Sequence, residues 1–172
     1  FIMMMVNSLV SGFTQVYKNG HTILAKTNEI LKPRVKANLL MSMLMIRWDE
    51  AAQRLFMTGA GHEYLMIYKH KQNKCFQIKS GWVALGMIKD ISKVLKDQEI
   101  KFEHNDIIVL YSDGITEAIN RPQKNGDEQM FGEQRLMEAI KKAPFLPNQK
   151  IKSAQSVFNN ITIELSQFMW YK

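Results

Sequence analysis

The chain has 172 residues, 46% of them hydrophobic, and a formal charge of +7 from 23 basic and 16 acidic side chains. That length and composition suit a globular chain with a substantial core. The basic excess is dispersed (Lys18, Lys26, Lys32, Lys36, Lys69, Lys71, Lys74) and lacks an RNA-binding aromatic signature or zinc-finger spacing, so nucleic acid is not expected as a partner. The lone cysteine, Cys75, excludes an internal disulfide and points to a reducing, cytoplasmic compartment. His21, His62, His70 and His104 are too scattered to suggest zinc.

Ile2, Val6, Leu9, Phe13 and Val16 recur at helical spacing, which predicts a helix under way at the first residue and ending near Asn19-Gly20. Its apolar start is too short for a membrane span, because Asn7 and Ser8 interrupt it. The methionines of this helix face several directions, as in the middle of a domain. A second helix is predicted from Thr22, as N-cap, to Leu31, where Pro33 disfavours continuation. Met41 to Trp48 has the composition of a buried strand, Asp49 to Ala52 that of a turn, and Arg54 to Thr58 that of its partner. Gly59-Ala60-Gly61-His62 should break the pattern before a strand at Tyr64 to Tyr68. A polar turn at His70 to Lys74 and a returning strand at Cys75 to Ile78 follow.

Gly81 to Gly86 forms a glycine-bracketed apolar loop. Ile100 and Phe102 suggest a half-exposed strand, and Ile107 to Tyr111 a fully buried one. The short connections favour antiparallel pairing, since parallel crossovers need about a dozen residues or more. Residues 120–129 form a polar loop, and Phe131-Gly132 leads into a helix from Glu133 to about Lys142. Ile161 to Leu165 alternates like a strand. Over a longer window Ile151, Ala154, Phe158, Ile161, Leu165 and Phe168 keep helical spacing, and length decides for a helix between Asn148 and Lys172. Helices, an antiparallel β block and further helices thus make an α+β chain of one domain.

The run from Asp106 to Ala118 ends an apolar strand in Asp113-Gly114, and two readings of it stand. Asp-Gly favours an ordinary hairpin turn. A rigid strand end also presents a carboxylate well to a hard cation, with Gly114 permitting the sharp turn. Asp106 lies seven residues back, about 23 Å along an extended chain, and is taken as a turn residue at the other end of the strand. Glu117 is expected to face solvent or hold a loop, and Glu63 directly follows His62.

Four elements occur in order: Gly59-Ala-Gly-His62, Ala84-Leu-Gly-Met87, Ser112-Asp-Gly-Ile-Thr-Glu-Ala118, and Met130-Phe-Gly132 before a helix. Together they resemble the metal-dependent serine/threonine phosphatases of the PPM (type 2C) superfamily, in the bacterial branch of stage II sporulation E and sigma-regulator phosphatases. The resemblance extends from the first helix to the last. It implies a four-layer α-β-β-α sandwich of antiparallel sheets flanked by helices, incomplete at both ends here. It assigns Asp113 as a metal ligand and Gly61, His62, Gly86 and Gly114 as residues that shape the site.

The same resemblance implies two Mn2+ or Mg2+ ions holding a bridging water, and a phosphoprotein substrate of the anti-anti-sigma kind. It also implies a catalytic domain placed after a sensor module, in a parent that is sometimes membrane-anchored. No Asp-x-x-Gly-His-Gly motif precedes Phe1 and no Asp-Asp-Ile-Thr motif closes the chain. Asn159-Asn160-Ile161-Thr162 is a poorer alignment to the latter and lacks its carboxylates. Asp113 alone cannot neutralise two hard cations. The chain is therefore expected to be a fragment or a degenerate homologue, inactive by itself, with open sheet edges that favour self-association. The alternative function is a catalytically inactive module that binds a partner.

Overall fold

The computed structural model describes residues 1–36, 39–62, 64–120 and 128–170. In chain order the elements are α1 (Ile2–Thr14), α2 (Gly20–Leu31), β1 (Met43–Asp49), β2 (Arg54–Ala60), β3 (Tyr64–Lys69), β4 (Lys74–Lys79), β5 (Gln98–Ile100), β6 (Ile107–Val109), α3 (Asp113–Thr116), α4 (Gly132–Lys142) and α5 (Ala154–Trp170). Short 3-10 turns occupy Lys32–Arg34 and His70–Gln72. The α+β class and the antiparallel pairing expected from the sequence are present: β1 pairs with β2, β2 with β5, and β3 with β6, all antiparallel. Two compact units result, one comprising residues 1–63 and 79–102 and the other 64–78 and 103–172.

The first unit packs α1 and α2 with the sheet ordered β1-β2-β5. Val6, Leu24, Leu31, Ala60, Val83, Leu85, Ile91 and Leu95 form its core. Both helix boundaries differ from expectation. The first helix stops at Thr14, and Gly20 opens α2 instead of closing α1. A carboxylate far along the chain explains the change: Asp97 accepts the His21 backbone N–H at 2.8 Å and also the Thr58 hydroxyl. This supplies an N-terminal cap that neither Asn19 nor Thr22 provides. Gly20 is required there, since a Cβ would lie 2.3 Å from Thr58 Oγ1. In α1 only Val6 is fully buried, while Val16 lies beyond the helix and is 71% exposed.

The second unit joins the sheet ordered β4-β3-β6 to α3, α4 and α5. Its core centres on Met66, Tyr68, Tyr111, Phe131, Leu136, Ile140, Val157 and Ile161. The β6 strand is shorter than predicted and only half buried, with Leu110 exposed, because among the described residues it pairs with β3 alone and forms an edge of this sheet. The last helix begins at Ala154, so Ile151 precedes it. Its buried face runs through Val157 and Ile161, leaving Phe158 exposed. A local capping box sets this start: the Ser153 hydroxyl accepts the Ser156 N–H at 2.9 Å, and Ser156 Oγ accepts the Ser153 N–H at 3.1 Å. Just before it, the buried Lys152 ammonium donates to the carbonyls of Lys141 and Ala143 at the end of α4. Burial lowers the Lys152 pKa from its ordinary value. Cys75 is unpaired, and burial pushes its thiol up to about 11, so it is a neutral thiol at physiological pH.

Asp106 does more than occupy a turn. Its carboxylate is 1% exposed and ion-paired with Lys69, and it accepts the backbone N–H groups of His70 and Glu103, each at 2.9 Å. Burial pushes its pKa up, but the Lys69 ammonium and the two N–H groups outweigh burial, and the net shift is downward. A depressed carboxylate stabilises the fold above its unfolded pKa of about 3.9, and that contribution is lost as pH falls through the folded value. Asp106→Asn is expected to lower stability by about 3 kcal/mol at neutral pH. It should also flatten the acid limb below about pH 4. Denaturant titrations between neutral pH and pH 3 check both, and an unchanged acid limb would contradict the assignment.

Candidate functional site

Within the first unit, the Gly-His element and the Leu-Gly loop are built against each other. Gly59 and Ala60 do not break β2 as expected; they continue it, paired to Leu44 and Met43. The strand ends at Gly61, whose φ of +67° is left-handed. A Cβ on Gly61 would lie 2.6 Å from the Cα and Cβ of Ala84, so only glycine allows this approach. Gly59 is equally constrained, by the Ser80 backbone at 2.3 Å. The Ser80 hydroxyl donates to the His62 carbonyl, and Leu85 exchanges two backbone hydrogen bonds with Met41. Gly86 then turns at φ +81°. His62 is half buried and follows directly on Gly61. Glu63 lies outside the described residues.

The other two elements meet within the second unit. After Tyr111 the chain is extended at Ser112 and enters α3 at Asp113, so the Asp-Gly pair opens a helix and is not a hairpin turn. The Asp113 carbonyl accepts the Glu117 N–H at 2.7 Å, while the Asp113 side chain is exposed. Gly114 is helical, and its added Cβ would meet only Ser112 Oγ at 3.6 Å, so no backbone turn demands glycine there. Glu117 is exposed, as expected. The Phe131 N–H donates to the Ala118 carbonyl at 2.8 Å, and Ile119 bridges to Met130. Phe131 is buried edge-to-face on Phe168, which ties the start of α4 to α5. Of the polar loop between them, residues 121–127 lie outside the described residues.

Among the described residues no three His, Cys, Asp or Glu side chains gather as a metal group requires. A pair of hard cations wants several carboxylates, so the described donor set does not fit two Mn2+ or Mg2+ ions.

Residues 1–164 match the family described as stage II sporulation protein E (SpoIIE). The chain belongs to the SpoIIE family. Among curated proteins it is 28% identical over 96 residues to phosphoserine phosphatase RsbU of Bacillus subtilis, a stretch covering 56% of the chain and 28% of that relative. The fold is similar to the PP2C domain of SiaA from Pseudomonas aeruginosa, with a TM-score of 0.73 and 13% identity over 99% of this chain and 62% of that one. It is also similar to the phosphatase domain of SpoIIE from Bacillus subtilis, with a TM-score of 0.54 and 10% identity over 95% of this chain and 65% of that one. At such identities the two structures show the shared fold. The SpoIIE-family motifs thus appear in this chain as two structural pairs.

Sequence reasoning missed the residues that support these pairs: Asp97, Asp106 and Lys152. Asp106 was read only as a turn residue, and the backbone partners of the three lie from 3 to 76 residues away. The glycine geometry makes a differential prediction. Gly61→Ala should destabilise the protein by more than about 1 kcal/mol, adding a steric clash to the cost of a left-handed alanine. Gly114→Ala should leave stability unchanged or raise it by up to about 1 kcal/mol, as expected for a helical site. Thermal and urea melts of both variants check this, and equal losses would contradict it.

Proposed function

We propose that the whole chain is one partial phosphatase domain of a protein that hydrolyses phosphoserine or phosphothreonine on a regulatory phosphoprotein. An anti-anti-sigma-like protein is the proposed substrate. The observation carrying this reading is the SpoIIE-family match over residues 1–164, which includes all four motifs. The name of RsbU, a phosphoserine phosphatase, and the PP2C fold of the SiaA domain support it. Asp113 is the proposed metal ligand. Gly61, His62, Gly86 and Gly114 are proposed to shape the site, and Mn2+ or Mg2+ is the proposed cofactor. Such ions supply charge neutralisation at phosphorus and an acidified water when bound.

The residues of this chain contribute positioning. The β6–α3 junction presents an exposed carboxylate, and the Gly61–Ala84 contact holds a rigid backbone edge. Further ligands for two ions have to come from residues other than those described. No described helix is long and apolar enough to cross a membrane. The cysteine count, a single Cys75, is the feature behind the proposed cytoplasmic setting.

The coding DNA on both sides supplies the first test. An enzyme should carry Asp-x-x-Gly-His-Gly upstream and Asp-Asp-Ile-Thr downstream, and their absence from an intact reading frame would sink the phosphatase reading. The protein translated from that frame should release phosphate from a phosphoserine protein with manganese. Asp113→Asn should cost more than the roughly 10–100-fold typical of a residue that only supports a ligand. The 172 residues alone should show no manganese-dependent hydrolysis of p-nitrophenyl phosphate. Activity of this chain that disappears in Asp113→Asn would show that it completes the metal site by itself.

A further inference from the structure

The backbone of the Leu-Gly loop is held by two side chains four residues apart, Asn28 on α2 and Lys32 at its C-terminal cap. Asn28 is fully buried, and its carboxamide is divided between both sides of the loop. Its Oδ1 accepts the Gly86 N–H at 2.8 Å, and its Nδ2 donates to the carbonyls of Ile88 and Lys89, each at 3.1 Å. One turn on, the Lys32 ammonium donates to the Gly86 carbonyl at 2.8 Å and the Met87 carbonyl at 3.3 Å. Gly86 N–H and four successive carbonyls, from Gly86 to Lys89, are thereby satisfied by Asn28 and Lys32. The Met87 N–H closes back on the Ala84 carbonyl at 3.2 Å.

A loop of this kind has no sheet ladder to define it, and its backbone would otherwise be satisfied by water in many conformations. The left-handed Gly86 is pressed on its other side by the Leu39 carbonyl, 2.9 Å from where a Cβ would lie. Asn28 is suited to the task because it offers both an acceptor and donors; leucine or alanine in the same helix would leave buried loop groups unpaired. Lys32 is suited because a flexible ammonium can serve two carbonyls at once.

We propose that Asn28 and Lys32 are positioning residues that set the conformation of the Gly86 loop for phosphatase turnover. This rests on the phosphatase reading above, in which the loop shapes the site. They touch no reacting atom and act through the loop backbone. Because the two side chains act on the loop and not on the substrate, turnover should fall while KM stays nearly constant.

The test uses the protein translated from the intact reading frame. Asn28→Ala, Asn28→Asp and Lys32→Met should each lower kcat roughly 10–100-fold. KM should change by less than about twofold. Lys32→Arg should recover much of the loss, since a guanidinium can still donate to both carbonyls. Lys26→Met, on the same helix but paired only with Glu29 at the surface, should behave like the parent. Hydrogen exchange should show faster exchange at Gly86 in the Asn28 variants, with α2 and β2 still protected. Accelerated exchange with unchanged kcat would overturn the positioning role and leave the phosphatase reading standing. Lost protection throughout α2 and β2 in Asn28→Ala and Lys32→Met alike would also overturn it, as a purely structural effect. A parent protein without phosphatase activity, its Gly86 exchange still sensitive to Asn28, would overturn the phosphatase reading and this role with it.

Discussion

The close approach of the Gly61 backbone to Ala84, beside that of Gly59 to Ser80, holds the strand end of the first unit against its loop. At 2.6 Å from the position of an added Cβ, there is no space for a side chain between strand end and loop. The left-handed φ of Gly61 enforces the same choice through local backbone energetics. Much else follows from this approach. Residues 59–62 and 80–87 share one backbone edge, Ser80 can reach the His62 carbonyl, and Leu85 can pair with Met41. The lower side of the loop is then defined by α2, whose own start is fixed by Asp97.

The second unit solves a comparable problem with buried charge and one aromatic anchor. Asp106 draws together the end of β3 and the turn before β6. That fixes the strand leading to Asp113. Phe131 closes the other side, bonding its backbone to Ala118 while its ring packs on Phe168. Lys152 then caps α4 through its last carbonyls and brings the chain round to α5. The exposed Asp113 carboxylate thus stands on a junction that is itself well supported, which is a requirement for any residue meant to hold a ligand.

Several parts of this arrangement were legible from residue order alone. Apolar runs between turn residues located β1 to β4 closely, although β2 runs on through Gly59 and Ala60, where a break was expected. The four motifs located both structural pairs; in the first, Gly59, Gly61 and Gly86 report backbone approaches that leave no space for a side chain, whereas Gly114 and Gly132 in the second do not. What failed was governed by distant partners. The start of α2 depends on Asp97, 76 residues from His21, and no local cap signals it. The shortened β6 follows from its place at a sheet edge, which an apolar run cannot reveal. On α5 the expected Ile161, Leu165 and Phe168 do pack into the core, but Val157 stands there in place of the exposed Phe158. Gly114, expected to serve a turn, is helical and sterically unconstrained, so its glycine is not explained by backbone geometry.

The central claim is that Asp113 is where this protein holds a divalent cation. Manganese titrated into the isotope-labelled protein from the intact reading frame tests it most directly, through paramagnetic broadening of backbone amides. The account predicts that broadening begins at Asp113 and Gly114 and that Asp113→Asn abolishes it there at the same manganese concentration. Broadening centred on another carboxylate, such as Asp97, or unchanged by Asp113→Asn, would contradict it.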